Sequence, residues 1–480
     1  MHTELWSWSA TALVRAMRTG QVSAEEVMTA VLGRIEQVNP VTNAFVEVAE
    51  EAMEQAKGAD RARRAGHELG ALHGLPVSFK INTNVAGYPT TDGVEAYLHN
   101  VASETDPQAQ SWLDAGAIMV ARSNCPPFAT RWTTESEFYG RTRNPWDPEV
   151  TPGGSSGGAA VGVATGACAL AQGNDIGGSI RYPAACSGVV GIRPTTGRVP
   201  AWAGPPSLDP PLAVQLYVVQ GPIARTIADL RLGLTAMQAP DARDPGAVGA
   251  FTPGASPARP IAVGVVTDPG PFGLTEASTQ EVLHAVRMAG DWLSDAGYAV
   301  EEIELPELGE AARLWWQLAL TEFRTIGMVG EVERVGDAGI RRFFDLMYQV
   351  YDAEFGDVDL REFLRGYARR GMLRHKVSVF MSKFPLLLLP NSGEAPFPLG
   401  DDVASVDRTR QIMGRQWPNM ALPVLGLPGL GIGVHRNDGA PIGVQIAGRA
   451  FHEDMVLAAG EVIEARSQIR TPIDPTASFG

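Results

Sequence analysis

Residues 151–200 read TPGGSSGGAAVGVATGACALAQGNDIGGSIRYPAACSGVVGIRPTTGRVP, and the rest of the chain is best understood from this stretch. It carries two glycine-flanked serines, Ser155 and Ser179, joined by a run of small residues. Glycine adopts torsions that other residues resist, so a glycine-rich turn bends tightly and exposes its backbone N–H groups. Two such turns, each presenting a hydroxyl, suggest a site where one serine attacks and backbone donors hold the resulting oxyanion. The small-residue segment Gly157–Leu170 predicts a closely packed helix feeding a strand into the Ser179 turn. Upstream, Leu75-Pro76-Val77-Ser78-Phe79-Lys80 places a lysine at the end of an apolar, strand-like run.

Outward from these turns the pattern alternates between strand and helix. Ser23-Ala24-Glu25-Glu26 reads as a capping box opening a helix to about Val38, where Asn39-Pro40 stops it. Ala44 to about Ala65 reads as helix, or as strand followed by helix. Leu75–Lys80 reads as a buried strand, because parallel strands in α/β sheets are apolar on both faces. Pro107–Ala115 predicts a helix and Ile118–Arg122 a strand. The 240s and 250s, rich in Pro, Gly and Ala, predict an exposed connection. Helices dominate from about Thr275 to Arg374, including Ala311–Phe323 and Ile340–Phe355. The expected class is α/β, with a large mixed or largely parallel β-sheet covered by helices.

At 480 residues the length prior allows about three domains. No Pro/Ser linker or charge run divides the chain, so one domain over 1–480 is expected. Its parts would be N-terminal helices (1–65), a core (66–235), a variable region (236–414) and a C-terminal core segment (415–480). The net charge of −15 argues against a nucleic-acid partner, which would need clustered Lys and Arg. No run of 18 apolar residues predicts a membrane span, and the N-terminus has no secretory pattern. Cys125, Cys168 and Cys186 form neither a disulfide framework nor a CxxC metal knuckle. A cytoplasmic protein without metal or cofactor, monomeric or homodimeric, is the expectation.

The chemistry can be read from residue types. The eight histidines lie outside the glycine turns, so a Ser–His–Asp arrangement has no obvious candidate. A lysine can replace histidine only if it is neutral when needed. Its pKa of about 10.4 must fall by about two to three units, roughly 3–4 kcal/mol of disfavoured charge. Val77, Phe79 and Ile81 surround Lys80 with apolar bulk that works in this direction. Against a catalytic reading, GGSSGG is also compatible with a linker or an anion-binding nest, but it lacks the GK[ST] ending of a phosphate loop. The cysteines read as packing residues, and His435 and His452 as surface or core. Trp315, Trp316, Phe343, Phe344, Tyr348 and Tyr351 sit at helical spacing, which predicts core with some members lining a pocket.

Further blocks give these residues a context. Arg141-Thr142-Arg143-Asn144-Pro145-Trp146-Asp147 leads into TPGGSSGG, Gly173-Asn174-Asp175-Ile176-Gly177-Gly178-Ser179-Ile180-Arg181 forms the second turn, and Gly191-Ile192-Arg193-Pro194-Thr195 follows. Asp114-Ala115-Gly116-Ala117, Ser123-Asn124-Cys125-Pro126 and Pro441-Ile442-Gly443-Val444-Gln445-Ile446-Ala447-Gly448 extend the pattern. Taken together the chain resembles the amidase signature family of serine hydrolases, over roughly residues 1–235 and 415–475. The resemblance implies an amidase-signature fold, a large mixed β-sheet with helices on both sides. It also implies Ser179 as nucleophile, Lys80 as general base and Ser155 as proton relay, with the Gly154–Ser155 peptide cis. The N–H groups of Ile176, Gly177, Gly178 and Ser179 would form the oxyanion hole, with Asp175 and Arg181 fixing the turn.

Two positions depart from that family. Ile81 stands where an acid usually follows the lysine, and Pro127 where an acidic residue often follows the Asn-x-Pro block. An adjacent carboxylate favours a charged lysine and isoleucine does not, so Lys80 is expected to deprotonate at least as easily as in relatives. The Trp, Phe, Leu and Met of 236–414 point to a small-molecule, apolar substrate: a hydrophobic amide, anilide or carbamate (urethane). The alternatives are the amidase component of a glutamine-dependent tRNA amidotransferase, or a non-catalytic binding homologue.

Overall fold

The computed structural model describes residues 4–202, 209–248, 260–436 and 438–476. In chain order the strands are β1 (Phe45–Val48), β2 (Pro76–Lys80), β3 (Ile118–Ser123), β4 (Glu135–Ser136), β5 (Gly140–Arg141), β6 (Leu170–Asp175) and β7 (Val190–Arg193). They continue as β8 (Val219–Ala224), β9 (Ala262–Val265), β10 (Ala299–Glu302), β11 (Leu386–Pro390), β12 (Gly429–His435) and β13 (Ile442–Gly448). β4 and β5 pair only with each other, and the rest form one 11-stranded sheet in the order β1-β3-β2-β6-β8-β7-β12-β13-β11-β9-β10. Pairing is mixed: β3, β2 and β6 run parallel, the centre from β6 to β11 is antiparallel, and β11, β9 and β10 are again parallel.

Consecutive leucines of β11 show how the sheet is covered. Leu386 and Leu388 join one apolar cluster, whereas Leu387 and Leu389 join the other. Side chains alternate across a strand, so the sheet separates two cores and each face is packed. The first cluster holds the N-terminal helices and the small-residue helix Gly157–Ala164. That helix is short of side chains for a physical reason. A Cβ on Gly158 would lie 2.4 Å from the Ala44 carbonyl oxygen, so only glycine allows this approach. The second cluster holds Trp132, Trp316, Phe343, Phe344 and Trp417, with Tyr348 and Tyr351 in the same core.

Most predicted elements form, and one boundary differs. The Ser23 capping box is present, with Glu26 N–H donating to Ser23 Oγ at 3.0 Å and Ser23 N–H to Glu26 Oε2 at 2.8 Å. The helix does not stop at Asn39-Pro40 but spans Ala24–Thr42. Pro40 lies in its last turn, where the missing N–H removes one hydrogen bond near an end that is already closing. Termination comes from Asn43, which is left-handed at φ 48 and donates its N–H to Asn39 O at 2.7 Å. Between Ala44 and Ala65 the strand-then-helix alternative holds, as β1 and the helix Ala52–Arg64. The helices Glu307–Thr325 and Ala338–Phe355 contain the two predicted ones. Of the predicted connection, residues 240–248 are exposed or half-buried, and 249–259 lie outside the described residues. Among the described residues no helix is long and apolar enough to cross a membrane.

Candidate active site

Because β3, β2 and β6 run parallel, their carboxyl ends share one edge of the sheet, the edge where open α/β sheets bind ligands. Lys80 closes β2, and Asn174-Asp175 close β6. Lys80 is fully buried; its Nζ donates to Ser155 Oγ at 2.7 Å and to Asn174 Oδ1 at 2.8 Å. Ser155 follows a cis Gly154–Ser155 peptide bond. The next residue joins the two turns, since Ser156 N–H donates to the Ser179 carbonyl at 3.2 Å. Ser155 and Ser179 line the same cavity. The residues singled out in sequence, Lys80, Ser155 and Ser179, are thus brought together over separations of 75 positions for Lys80–Ser155 alone.

Burial pushes the Lys80 pKa down to about 8, while Cys125, Asp92 and Asp175 pull it back up. Ile81 is itself buried and brings no charge, in line with the expected direction. A carboxylate nevertheless reaches the lysine's surroundings through space, from Asp92. Burial pushes its carboxyl up to about 7, held down in turn by Lys80 and the Asn82 amide. Asp92 is only half-buried by exposure because its open side borders the cavity rather than bulk solvent.

Asp175 and Arg181 shape the Ser179 turn. Arg181 donates to Asp175 through Nε at 3.0 Å and Nη2 at 2.9 Å, and Arg193 donates to the Asp175 carbonyl at 2.7 Å. Burial opposes ionisation of Asp175, but Arg181, Arg193 and the Gly178 N–H overcome it and hold the carboxyl well below its usual range. One expected oxyanion donor needs correction: Gly178 N–H donates to Asp175 Oδ1 at 2.9 Å and is committed there. Ile176, Gly177 and Ser179 remain as expected donors. Gly178 is left-handed at φ +98, and a Cβ there would lie 2.4 Å from Asn419 Cγ.

Two indoles complete the turn. Trp315 Nε1 donates to the Ile176 carbonyl at 2.7 Å and Trp132 Nε1 to the Gly177 carbonyl at 3.2 Å. In a trans peptide the C=O and the following N–H point opposite ways, so holding these carbonyls aims the next N–H groups away from the indoles. Sequence reasoning missed both roles, and it missed Asn174 and Asn82. Asn174 Nδ2 donates to Asn82 Oδ1 at 3.0 Å, so one asparagine orients the other against Lys80. A signal existed: Gln172 and Asn174 share one face of β6 at a spacing of two, and Gln172 Oε1 accepts the Lys80 backbone N–H at 3.2 Å.

Ser155 and Ser179 open on a cavity of about 280 Å³. Its walls are Trp315, Trp316, Leu320 and Phe323 from the helix Glu307–Thr325, Phe343, Phe344 and Met347 from Ala338–Phe355, and Phe128, Trp132 and Met420 from elsewhere. The variable region thus supplies much of the wall, while Tyr348 and Tyr351 pack in the core behind it. Arg131 also borders the cavity, but Asp402 binds it at 2.7 and 2.9 Å and Glu135 at 3.0 Å. The three cysteines are free and buried, and His435 and His452 are half-buried.

A mixed sheet of this topology, with a buried lysine bonded to a serine between two glycine turns, is the architecture of an amide-cleaving hydrolase. The chain belongs to the Amidase family, whose model matches residues 26–457. It is 36% identical to the indoleacetamide hydrolase of Bradyrhizobium diazoefficiens, over 97% of this chain and 87% of that protein. It is 31% identical to the amidase component of the Glutamyl-tRNA(Gln) amidotransferase of Acidothermus cellulolyticus, over 96% of this chain and 95% of that one. Among solved structures, a bacterial aryl acylamidase of the amidase signature family matches with a TM-score of 0.81 at 26% identity, covering 96% of each chain.

Proposed function

We propose that this protein hydrolyses the C–N bond of a compact, apolar amide, anilide or aryl carbamate through a seryl acyl-enzyme. The observation that carries the reading is the buried Lys80–Ser155 hydrogen bond facing an aromatic cavity that also holds Ser179. Lys80, once neutral, accepts the Ser155 proton while Ser155 accepts that of Ser179. Ser179 Oγ attacks the carbonyl, and backbone N–H groups of the 176–179 turn receive the oxyanion. The proton returns through Ser155 to the leaving nitrogen, and water then releases the acyl group by the same relay. A cavity of about 280 Å³ sits at the small end for ligand sites, which favours a single-ring substrate over a long acyl chain.

The amidotransferase-like relatives raise glutamine as an alternative substrate. Its α-carboxylate would need a free cation, and the arginine bordering this cavity is already shared between Asp402 and Glu135. The test is amine release from an aliphatic amide, an anilide, an aryl carbamate, an ester and glutamine, with wild type and Ser179→Ala. Release from the anilide or carbamate that vanishes in the variant is the expected result. Activity on glutamine alone would overturn the substrate class in favour of an amidotransferase role.

A further inference from the structure

Three carboxylates border the cavity, and two of them are fully engaged. Asp175 is held by Arg181 and backbone N–H groups, and Asp106 accepts the Asn84 N–H at 2.9 Å and Nδ2 at 3.0 Å. Asp92 differs. Neither an arginine nor a backbone N–H donates to it among the described residues, and its Oδ1 is buried without a hydrogen-bond partner. The group is nevertheless rigidly placed. Its backbone is left-handed at φ 50, its carbonyl accepts the Phe128 N–H at 2.8 Å, and Gly93 packs on Cys125 and Pro126. A non-glycine residue in that conformation is uncommon, and such positions gather where a site must hold a side chain in place.

The direction Asp92 faces follows from its neighbours. Asn82 lies beside it, Asn174 donates to Asn82, and Lys80 donates to both Asn174 and Ser155. Asp92 therefore stands on the Lys80–Ser155 side of the cavity, the side from which the leaving nitrogen is protonated in the acyl-enzyme reading above, on which this inference rests. When the tetrahedral intermediate collapses, the Ser155 hydroxyl proton passes to the nitrogen lone pair. The C–N bond breaks with its electrons going to nitrogen, the oxyanion re-forms the carbonyl of acyl-Ser179, and the Lys80 ammonium reprotonates Ser155. Each step requires the lone pair to face Ser155, which turns the N–H elsewhere. We propose that Asp92 accepts this N–H, and so orients the leaving nitrogen and favours C–N over C–O substrates.

An ester oxygen has no N–H to offer, so the ratio of anilide to matched phenyl ester turnover isolates the effect. Asp92→Gly suits the left-handed backbone and removes the acceptor. Its anilide-to-ester ratio in kcat/KM should fall by about tenfold or more, the loss typical of a hydrogen bond to a charged group. Asp92→Asn keeps an acceptor oxygen on the same backbone and should fall between the two, and it carries the test if the glycine variant does not fold. Wild type should also prefer the N–H anilide over its N-methyl counterpart by a margin that shrinks in Asp92→Gly. Parallel loss on anilide and ester, or an unchanged ratio in both variants, overturns the proposal by assigning Asp92 to Lys80 or to the fold. If wild type cleaves the ester but no amide or carbamate, the proposed function fails first and takes this inference with it.

Discussion

Raising the pH from 6.5 to 9.0 should speed acylation of Ser179 by about 30-fold. The neutral amine of Lys80 is the base, so the rate follows the fraction deprotonated. With a pKa lowered from 10.5 to about 8, roughly one-tenth of Lys80 is neutral at pH 7, whereas an unshifted lysine would be neutral in roughly one molecule in 3000. The sign is fixed by the cause: burial disfavours the ammonium, so the acidic limb moves to lower pH. The fraction climbs from roughly 0.03 at pH 6.5 to roughly 0.9 at pH 9.0, and the rate then levels. The assay is the second-order rate of Ser179 labelling by a fluorophosphonate, which reports acylation without product release. Lys80→Met gives the pH-independent baseline. A limb centred near 10.5, or a wild-type profile as flat as the variant's, would refute the reasoning.

Two further outcomes follow from the Ser179 turn. Trp315→Phe keeps an aromatic wall but removes the indole donor to the Ile176 carbonyl, and should lower kcat by about tenfold with little change in KM for an anilide. Arg181→Met leaves the buried Asp175 carboxylate without its closest partner, and urea unfolding at pH 7 should show a loss of about 3–5 kcal/mol. Because the Asp175 pKa is depressed in the folded state, that stabilisation is present at neutral pH and fades in acid, so the difference between variant and wild type should narrow as pH falls towards 4.

What the sequence made legible was mostly local. Glycine turns, the apolar run before Lys80 and the Ser23 capping box are patterns of neighbouring residues, and each appears where it was expected. Pro40 misled because its cost depends on position within a helix, which a stop signal alone does not carry. Asn82, Asn174, Trp132 and Trp315 escaped notice because their partners lie 92, 94, 45 and 139 positions away. The commitment of Gly178 N–H to Asp175 was hidden for a different reason: a glycine-rich turn announces exposed donors but not which of them its own acidic residue will take. The variable region offered no motif, yet it contributes three strands to the sheet and the helices that wall the cavity.

Trp315 sets a limit on how such a wall can be exchanged. Its indole ring faces the cavity while its nitrogen holds the turn that presents Ser179. A chimera that imports another amidase's 300–355 segment to gain a new acyl preference would also import, or lose, a support of the catalytic loop. Recombination in this scaffold is therefore modular only for donors that carry an N–H at the corresponding place. Libraries built on residues 316–347 with Trp315 kept should yield altered specificity more often than segment swaps that replace it.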